Sequence, residues 1–499
     1  MLAATSLVLA ACSGDPGGKE SADAGPQTVV YGLNQAPVGG YDPGLWAYTT
    51  YAPIEQAAYD SLLRATMDGF EPALATEWGW KSPELFWLKL RKGVTFSDGE
   101  PFNAEAVKAN LERYKVAEGR AAAQLKPVES VEVVNDYEVA IHLSTPQPDM
   151  QLVLSQNMGM MISPAAIKTP EKLKSEPVGA GPYVLDVKNT VADSTYTFTK
   201  NPDYWNADAV KFDTMVFKIF TDAQAAFNAV QSGQVDMTFT TFENIDAVKG
   251  TDTKVFEAPG TLDNIQIVDM AGAEVPALGD VRVRQALNYA IDRQAIVDTV
   301  LPGRPTPQVW HSASEAYDPS LEDYYPYDPT KAKSLLAEAG YSNGFSFKVN
   351  THPLMQTVAQ AVAGYLAKVG VTLEIVVQPT VAEFVADGIA GKYPAVLAPN
   401  VSQSASIDIQ NLMLPDGGKN ARHSEDPEVT KLYKDAASMT PEDREKQYHK
   451  IAKIALDDAW FIGIAQATAY TLYNPAKVTG LEVPVGNVVP AIFSLKPGK

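Results

Sequence analysis

The sequence predicts an α/β protein that is built from two lobes. Its 499 residues exceed the size of one ordinary domain, and 45% of them are hydrophobic, which is enough to bury a large core. Short β-rich segments alternate with amphipathic helical segments along almost the whole chain. Helices that lie between strands cover the faces of a sheet, so this order indicates α/β lobes with covered sheets.

The N-terminal residues are typical of an exported lipoprotein. Residues 1–11 are nearly all apolar or small, and they end in Leu-Ala-Ala before the single cysteine, Cys12. Small residues before a processing site are a signal-peptide feature, and this segment resembles the bacterial lipobox, in which the cysteine is lipidated. Residues 1–12 are therefore the predicted signal segment, and residues 13–26, which are rich in Gly and Ser, are a predicted flexible tether. No Lys or Arg precedes the apolar run, so we expect a start upstream of Met1 or a misplaced start.

The first half of the mature chain predicts one strand and two helices. Residues 28–31 are β-branched or aromatic, as in a strand. Residues 103–114 have apolar residues on one helical face, with Asn103 as the N-cap. A second helix is predicted over residues 221–231, with Gly233 just beyond its end.

The second half predicts more helices around a further strand. Residues 281–290 and 355–369 have helical periodicity, and residues 371–377 form a predicted strand with one buried face. Asp328 and Gly340 carry the signals of an N-cap and a helix stop at the two ends of another amphipathic segment.

Six segments in order carry recognisable motifs. The most specific is FWLKLRKGVTFSDGEPFNAEAV at 86–107, a predicted strand, turn and capped helix. The others are PVGAGPY at 177–183, NPDYW at 201–205, QSGQVD at 231–236, VRQALNYAIDR at 283–293, and a segment at 327–341 that begins YDP and ends LLAEAGY. Together they resemble the bacterial extracellular solute-binding proteins of family 5, the importer-linked peptide, nickel and oligosaccharide class. Most motif residues are turns, caps and core contacts, so they identify a family and not a ligand.

The resemblance implies a two-lobed periplasmic-binding-protein type II (class C) fold, with lobes joined by two hinge strands. The first lobe would combine residues 27–262 with 472–499 and carry an extra subdomain at about 61–170. The second lobe would be residues 263–471. The ligand would bind in the cleft between the lobes, which would close on it.

The function that the resemblance implies is substrate binding for an ABC importer. The protein would be an extracytoplasmic lipoprotein on the outer face of the cell membrane, held there by its lipid anchor only, and monomeric. It would capture a small organic solute, peptide or peptide-like, and present it to ABC permease and ATPase subunits. Alternatives are a neutral ligand such as an oligosaccharide or opine-like conjugate, a surface sensor without transport, and a secreted hydrolase.

The resemblance also places the ligand contacts in two loops. The loop after the first strand offers Tyr41, Trp46 and Tyr48, whose aromatic rings with polar tips suit a cleft for a small ligand. The alternative for each is packing within the lobe.

The second loop departs from the peptide-binding members of the family. Those proteins carry an Asp here that pairs with the ammonium group of the ligand, whereas residues 399–407 contain no acid and no Trp. This loop offers neutral hydrogen-bonding groups instead. The predicted contacts are Asn400, Ser402, Gln403, Ser404 and Ser406.

Several classes of function are excluded or disfavoured. A net charge of −20 disfavours nucleic acid as a partner, because phosphates would be repelled. No two of the five histidines have metal-ligand spacing, and no nucleophile elbow or phosphate loop is present. We therefore expect no enzymatic activity, no cofactor and no metal, and we interpret the Met158, Met160 and Met161 cluster as core packing.

Overall fold

The computed structural model of the protein describes residues 26–37, 40–45, 52–117, 124–220, 222–402 and 404–498. Four of the predicted functional residues lie outside this part of the chain, namely Cys12, Trp46, Tyr48 and Gln403. Across the described ranges, no helix combines the length and hydropathy needed to span a bilayer.

The described residues form nineteen strands and thirteen α-helices. The strands are β1 Thr28–Leu33, β2 Leu63–Ala65, β3 Phe70–Pro72, β4 Ala75–Ser82, β5 Leu85–Leu90, β6 Val128–Asn135, β7 Glu138–Leu143, β8 Tyr183–Leu185, β9 Thr195–Lys200, β10 Thr214–Ile219, β11 Met237–Thr240, β12 Lys254–Ile267, β13 Gly303–Pro305, β14 Phe345–Thr351, β15 Val371–Val377, β16 Ala395–Asn400, β17 Phe461–Tyr473, β18 Val478–Thr479 and β19 Lys496–Pro497. The helices are α1 Ala52–Ala58, α2 Ala104–Lys115, α3 Met150–Ser155, α4 Pro164–Ile167, α5 Ala223–Gln231, α6 Val281–Tyr289, α7 Arg293–Thr299, α8 Pro329–Glu338, α9 Gln356–Ala367, α10 Val381–Ile389, α11 Ala405–Met413, α12 Pro427–Ala436 and α13 Pro441–Asp457.

One sheet of eleven strands runs through both lobes. Its order is β15-β14-β16-β12-β17-β11-β1-β10-β9-β8, with β13 paired to β17. The long strands β12 and β17 are antiparallel neighbours in the middle of this order, and they connect the two halves of the sheet. We call them the crossing strands. They correspond to the two hinge strands that the family resemblance implies.

The pairing of the crossing strands is interrupted where they pass between the lobes. Pro259 lies opposite Thr468, but Leu262 lies opposite Gln466, so the register shifts at this point. Beyond the shift, β12 also pairs with β16. A Cβ atom on Gly260 would lie only 2.9 Å from the Ala467 carbonyl oxygen, so the two backbones approach closely here.

The first lobe carries a separate four-stranded antiparallel sheet of order β4-β5-β7-β6. Helix α2 packs against it, and its apolar face of Val107, Leu111 and Tyr114 is completely buried. This sheet is the extra subdomain.

Each lobe has its own hydrophobic core. The largest core runs from Val29 to Met237 and includes Val478 and Leu495, so the C-terminal segment packs into the first lobe. Two further cores, one around Leu287 and one around α11 to α13, belong to the second lobe. Because the methionines at 158, 160 and 161 are buried in the first core, their interpretation as packing residues is confirmed.

The predicted helix caps are confirmed in detail. Asn103 accepts a hydrogen bond from the Ala106 amide at 3.0 Å, and Asp328 accepts one from the Lys331 amide at 2.8 Å. The helix that the sequence predicts over 221–231 begins at residue 223 in the structure, because Asp222 is its N-cap.

Candidate ligand-binding cleft

Strand directions bring two crevices of the sheet face to face. β1 lies between β10 and β11 and is parallel to both, and β14 lies in the same way between β15 and β16. In open α/β sheets, ligands bind beyond the carboxyl ends of strands where the strand order reverses in this way. β1 is antiparallel in sense to β16, since β11 is antiparallel to β17, β17 to β12 and β12 to β16. The strands of the first lobe pair with the 470–473 end of β17, and β16 pairs with the 262–267 end of β12, so the two lobes lie at opposite ends of the crossing strands. The crevices that follow Leu33 and Asn400 therefore open toward each other.

A cavity of about 620 Å³ lies between the lobes, and the segment that follows Asn400 lines part of it. The first lobe contributes residues 67–70, the start of α3 and residues 483–488. The second lobe contributes residues 313–315, the loop before α11 and Arg444, and the crossing strand contributes Pro259 and Gly260. Its volume is within the range of about 300–1,000 Å³ that is usual for small-molecule sites.

A smaller cavity of about 260 Å³ lies wholly within the first lobe. Its guanidinium, from Arg64, already donates hydrogen bonds to Asp60 and Tyr204 and lies over the Phe493 ring. Because the second lobe does not reach this cavity, we place the ligand in the larger one.

Two predicted residues of the second loop line the larger cavity. Ser402 donates a hydrogen bond of 2.6 Å from its hydroxyl to Asp408. The Ser404 hydroxyl accepts one of 3.2 Å from the Ile407 amide and so serves as the N-cap of α11. Both hydroxyl groups therefore have structural partners besides any ligand.

The other two predicted contacts of this loop that the structure describes, Asn400 and Ser406, do not line the cavity. Asn400 accepts a hydrogen bond of 2.6 Å from the Lys419 ammonium. Ser406 is buried, and its hydroxyl lies 3.3 Å from the Tyr433 hydroxyl. Their contact with a ligand stays a prediction.

Tyr41 lies in the core of the first lobe. It is 5% exposed, its ring packs edge-on against Tyr196, and its carbonyl oxygen accepts a hydrogen bond from the Tyr59 hydroxyl. It does not line the larger cavity. The structure thus places Tyr41 in the packing role that the sequence left open, and ligand contact by this residue stays a prediction.

The structure adds one cavity residue that the sequence did not single out, Asp149. It precedes α3, yet its side chain makes no capping hydrogen bond. Its carboxylate faces the hydroxyl groups of Ser404 and Ser406 on the other lobe, and burial raises its pKa to about 6. Its Oδ2 atom has neither a hydrogen-bond partner among the described residues nor contact with solvent. An acid before a helix predicts a cap, and only the fold shows that this one points into the cleft.

Two basic side chains of the cavity wall, Arg444 and His311, are respectively paired with an acid and disposed to be neutral. Arg444 donates two hydrogen bonds, of 2.8 and 2.7 Å, to the Glu315 carboxylate. Burial, with a smaller effect from Arg304, lowers the pKa of His311 and favours its neutral form. Nowhere in the described ranges do three or more His, Cys, Asp or Glu side chains form a group that could hold a metal ion.

Comparisons with known proteins agree with this geometry. The model of the bacterial extracellular solute-binding proteins, family 5 (middle region), matches residues 69–420. Heme-binding protein A of Haemophilus influenzae is 29% identical over 549 aligned residues, which cover 97% of this chain and 96% of that protein.

Solved structures of similar proteins share the fold. A periplasmic binding protein, AgaA from A. tumefaciens R10 in complex with agropinic acid, has a TM-score of 0.79 at 23% identity, over 95% of this chain and 99% of that chain. The periplasmic binding protein DppA from Helicobacter pylori, in complex with the peptide STSA, has a TM-score of 0.79 at 20% identity, over 95% of this chain and 98% of that chain. The two-lobed periplasmic-binding-protein type II fold is thereby confirmed, and so is a binding role in place of an enzymatic one. The chain belongs to the bacterial extracellular solute-binding proteins of family 5, the substrate-binding proteins of ABC transporters.

Proposed function

We propose that this protein captures a small organic solute in the larger cavity by closing its lobes, and delivers it to the permease and ATPase subunits of an ABC importer. The observation that carries the proposal is that both lobes and a crossing strand line one cavity. A ligand that contacts both lobes binds the closed form more tightly and shifts the population toward it.

The proposed lobes are residues 27–262 with 472–499, and residues 263–471, with a subdomain at about 61–170. The register shift between Pro259 and Leu262 supports a boundary close to residue 262. Each proposed lobe then contains at least one complete hydrophobic core.

The proposed ligand is a peptide or a peptide-like solute. Peptide STSA in one fold neighbour, and relatives described as peptide-binding, support this class. An opine-like conjugate is the alternative, because agropinic acid occupies another neighbour and the loop at 399–407 supplies neutral groups. One relative is a heme-binding protein, so heme belongs in the same screen.

A thermal-shift screen of peptides, opines, oligosaccharides and heme tests ligand capture. A true ligand raises the melting temperature with concentration, by an amount that corresponds to about 2.7 kcal/mol at a hundred times its Kd. Ala313 lines the cavity, so Ala313→Trp places a large ring in it and should abolish the rise in melting temperature. The matched control Ala337→Trp, on the exposed face of α8, should preserve it. A screen in which no class stabilises the protein, and in which no solute is retained on purification, would remove support for capture.

We further propose that lipid on Cys12 anchors a monomeric protein to the outer face of the cell membrane. The support is the Leu-Ala-Ala-Cys sequence and the Gly- and Ser-rich residues that follow it. An end that carries two or more acyl chains holds a protein at a membrane without a spanning segment. In bacterial cells, Cys12→Ser should move the protein from the membrane fraction to the soluble fraction. An unmodified cysteine in the mass spectrum of the membrane-bound form would contradict the anchor.

A further inference from the structure

We propose that the cleft binds a cationic nitrogen of its solute, an ammonium or guanidinium group, through the Asp149 carboxylate. The inference rests on the proposed function, and it names the chemical class of the ligand. It also assigns the acid of the site to the first lobe, whereas the second loop at 399–407 contains none.

The first argument is the unfilled hydrogen-bonding capacity of Asp149. A carboxylate accepts up to four hydrogen bonds, and a buried carboxylate oxygen without a partner is costly. Asp149 Oδ2 is shielded from solvent and unpaired within the described chain, and the side chain does not cap the helix it precedes. This oxygen is therefore available to a donor on a molecule in the cavity, which Asp149 lines.

The second argument is that Arg444, whose charge acts on this carboxylate, already donates its hydrogen bonds to another acid. Arg444 is the one Lys or Arg among the described residues of the cavity wall, and its Nε and Nη2 atoms both donate to Glu315. Among the residues that the structure describes, three carboxylates line the cavity, those of Asp68, Asp149 and Glu315. The wall thus has an excess of negative charge, which attracts a cation and repels a ligand that is only anionic.

The third argument is the set of hydroxyl groups around Asp149. Ser404 and Ser406 face its carboxylate, and Tyr433 lies beside Ser406. The Tyr448 hydroxyl is buried close to Ser406, and burial, with a smaller effect of the Asp149 charge, raises its pKa. An ammonium has three donors, so it satisfies one carboxylate oxygen and neighbouring hydroxyl oxygens together.

Calorimetric titration with paired peptides tests this assignment. The probes are Ser-Thr-Ser-Ala and Met-Leu, each with a free amino group and with an Nα-acetyl group, which removes the charge. For any probe that binds, we expect acetylation to weaken binding at least about thirtyfold, the loss expected when one partner of a desolvated charge pair is removed. Asp149→Asn should weaken binding of the free amine similarly and make the protein indifferent to acetylation. The charge-matched control Asp252→Asn, an exposed residue of the first lobe, should bind as the wild type does.

Equal binding of the free and acetylated forms by the wild type, or equal affinity of Asp149→Asn and wild type for a free amine, overturns the inference and leaves capture intact. The acetylation contrast needs no variant, so it stands even if Asp149→Asn fails to fold. If none of the four probes binds, mass spectrometry of the solute retained by protein from its own host decides. A retained solute without a basic nitrogen overturns the inference alone, and one with a basic nitrogen supports it. No retained solute and no binding overturn the proposed function as well.

Discussion

The Thr261 hydroxyl donates a hydrogen bond of 3.0 Å to the Asp263 carboxylate, inside the crossing strand β12 where it enters the second lobe. Asp263 is 2% exposed, and burial raises its pKa to about 7. A buried acid with one weak partner therefore occupies the connection between the lobes, next to the register shift that begins at Pro259.

This acid predicts a pH dependence of stability. The pKa of Asp263 is about 7 in the folded protein and about 3.9 in an unfolded chain. The folded state thus binds more protons between these values, and the free energy of unfolding falls as pH rises from about 4 to 7. Asp263→Asn should therefore raise the free energy of unfolding at pH 8 by about 2–4 kcal/mol and leave it nearly unchanged at pH 4.

Urea denaturation at several pH values measures this effect. Asp149, whose pKa is raised to about 6, contributes a slope of the same sign in both proteins, so the difference between them isolates Asp263. Parallel curves for Asp263→Asn and wild type would show that Asp263 is not protonated in the folded state.

The close approach at Gly260 predicts that a methyl group destabilises the hinge. Since its Cβ would lie 2.9 Å from the Ala467 carbonyl oxygen, Gly260→Ala should lower the free energy of unfolding by about 1–3 kcal/mol. Gly364→Ala is the matched control, because open space surrounds that position in α9 and alanine favours helix. It should stabilise the protein by about 0.5–1 kcal/mol. Equal effects of the two substitutions in chemical denaturation would refute a close approach at the hinge.

The cap at Ser404 changes what the second loop should do on mutation. Ser404→Ala removes the N-cap of α11, so it should cost about 0.5–2 kcal/mol of stability in addition to any loss of ligand affinity. Ser334→Ala, on the exposed face of α8, should leave the melting temperature nearly unchanged. A normal melting temperature for Ser404→Ala would mean that the hydroxyl does not cap the helix in solution.

The pair between Arg113 and Asp42 stabilises the loop after β1. Both Arg113 terminal nitrogens donate to the Asp42 carboxylate. Burial, with a smaller effect of the Asp42 charge, raises the pKa of Glu55. Arg113→Met leaves Asp42 buried without its cation, so stability should fall by about 3 kcal/mol or more. The double variant Asp42→Asn, Arg113→Met should regain part of this loss. Lys446→Met, at an exposed ion pair, should change nothing measurable, and an equally small effect of Arg113→Met would contradict the proposed role of the pair.

Much of the scaffold could be predicted from local signals. Asn103 and Asp328 are caps because the residue type, its position before an apolar helix and the hydrogen bond all agree. The crossing strands and the subdomain followed from the family resemblance, since no local pattern states which strands pair.

The site was harder to predict, because a side chain's direction depends on long-range packing. Tyr41 has an aromatic ring with a polar hydroxyl, as many cleft residues do, but the fold turns it toward Tyr196 in the core. Asp149 has the position of a cap, but the second lobe brings Ser404 opposite it. Asp149 and Ser404 are more than two hundred and fifty residues apart in the sequence. No periodicity in the sequence encodes contacts of this kind.

Small-angle X-ray scattering of the ligand-free and ligand-saturated protein is the most direct test of capture by closure. The solute would be the one that gives the largest thermal stabilisation, with Ala313→Trp as the protein that cannot accept it. We expect the radius of gyration to fall on saturation of the wild type and to stay constant for Ala313→Trp. An unchanged scattering curve for wild-type protein that calorimetry shows to be saturated would contradict closure of the lobes around the ligand.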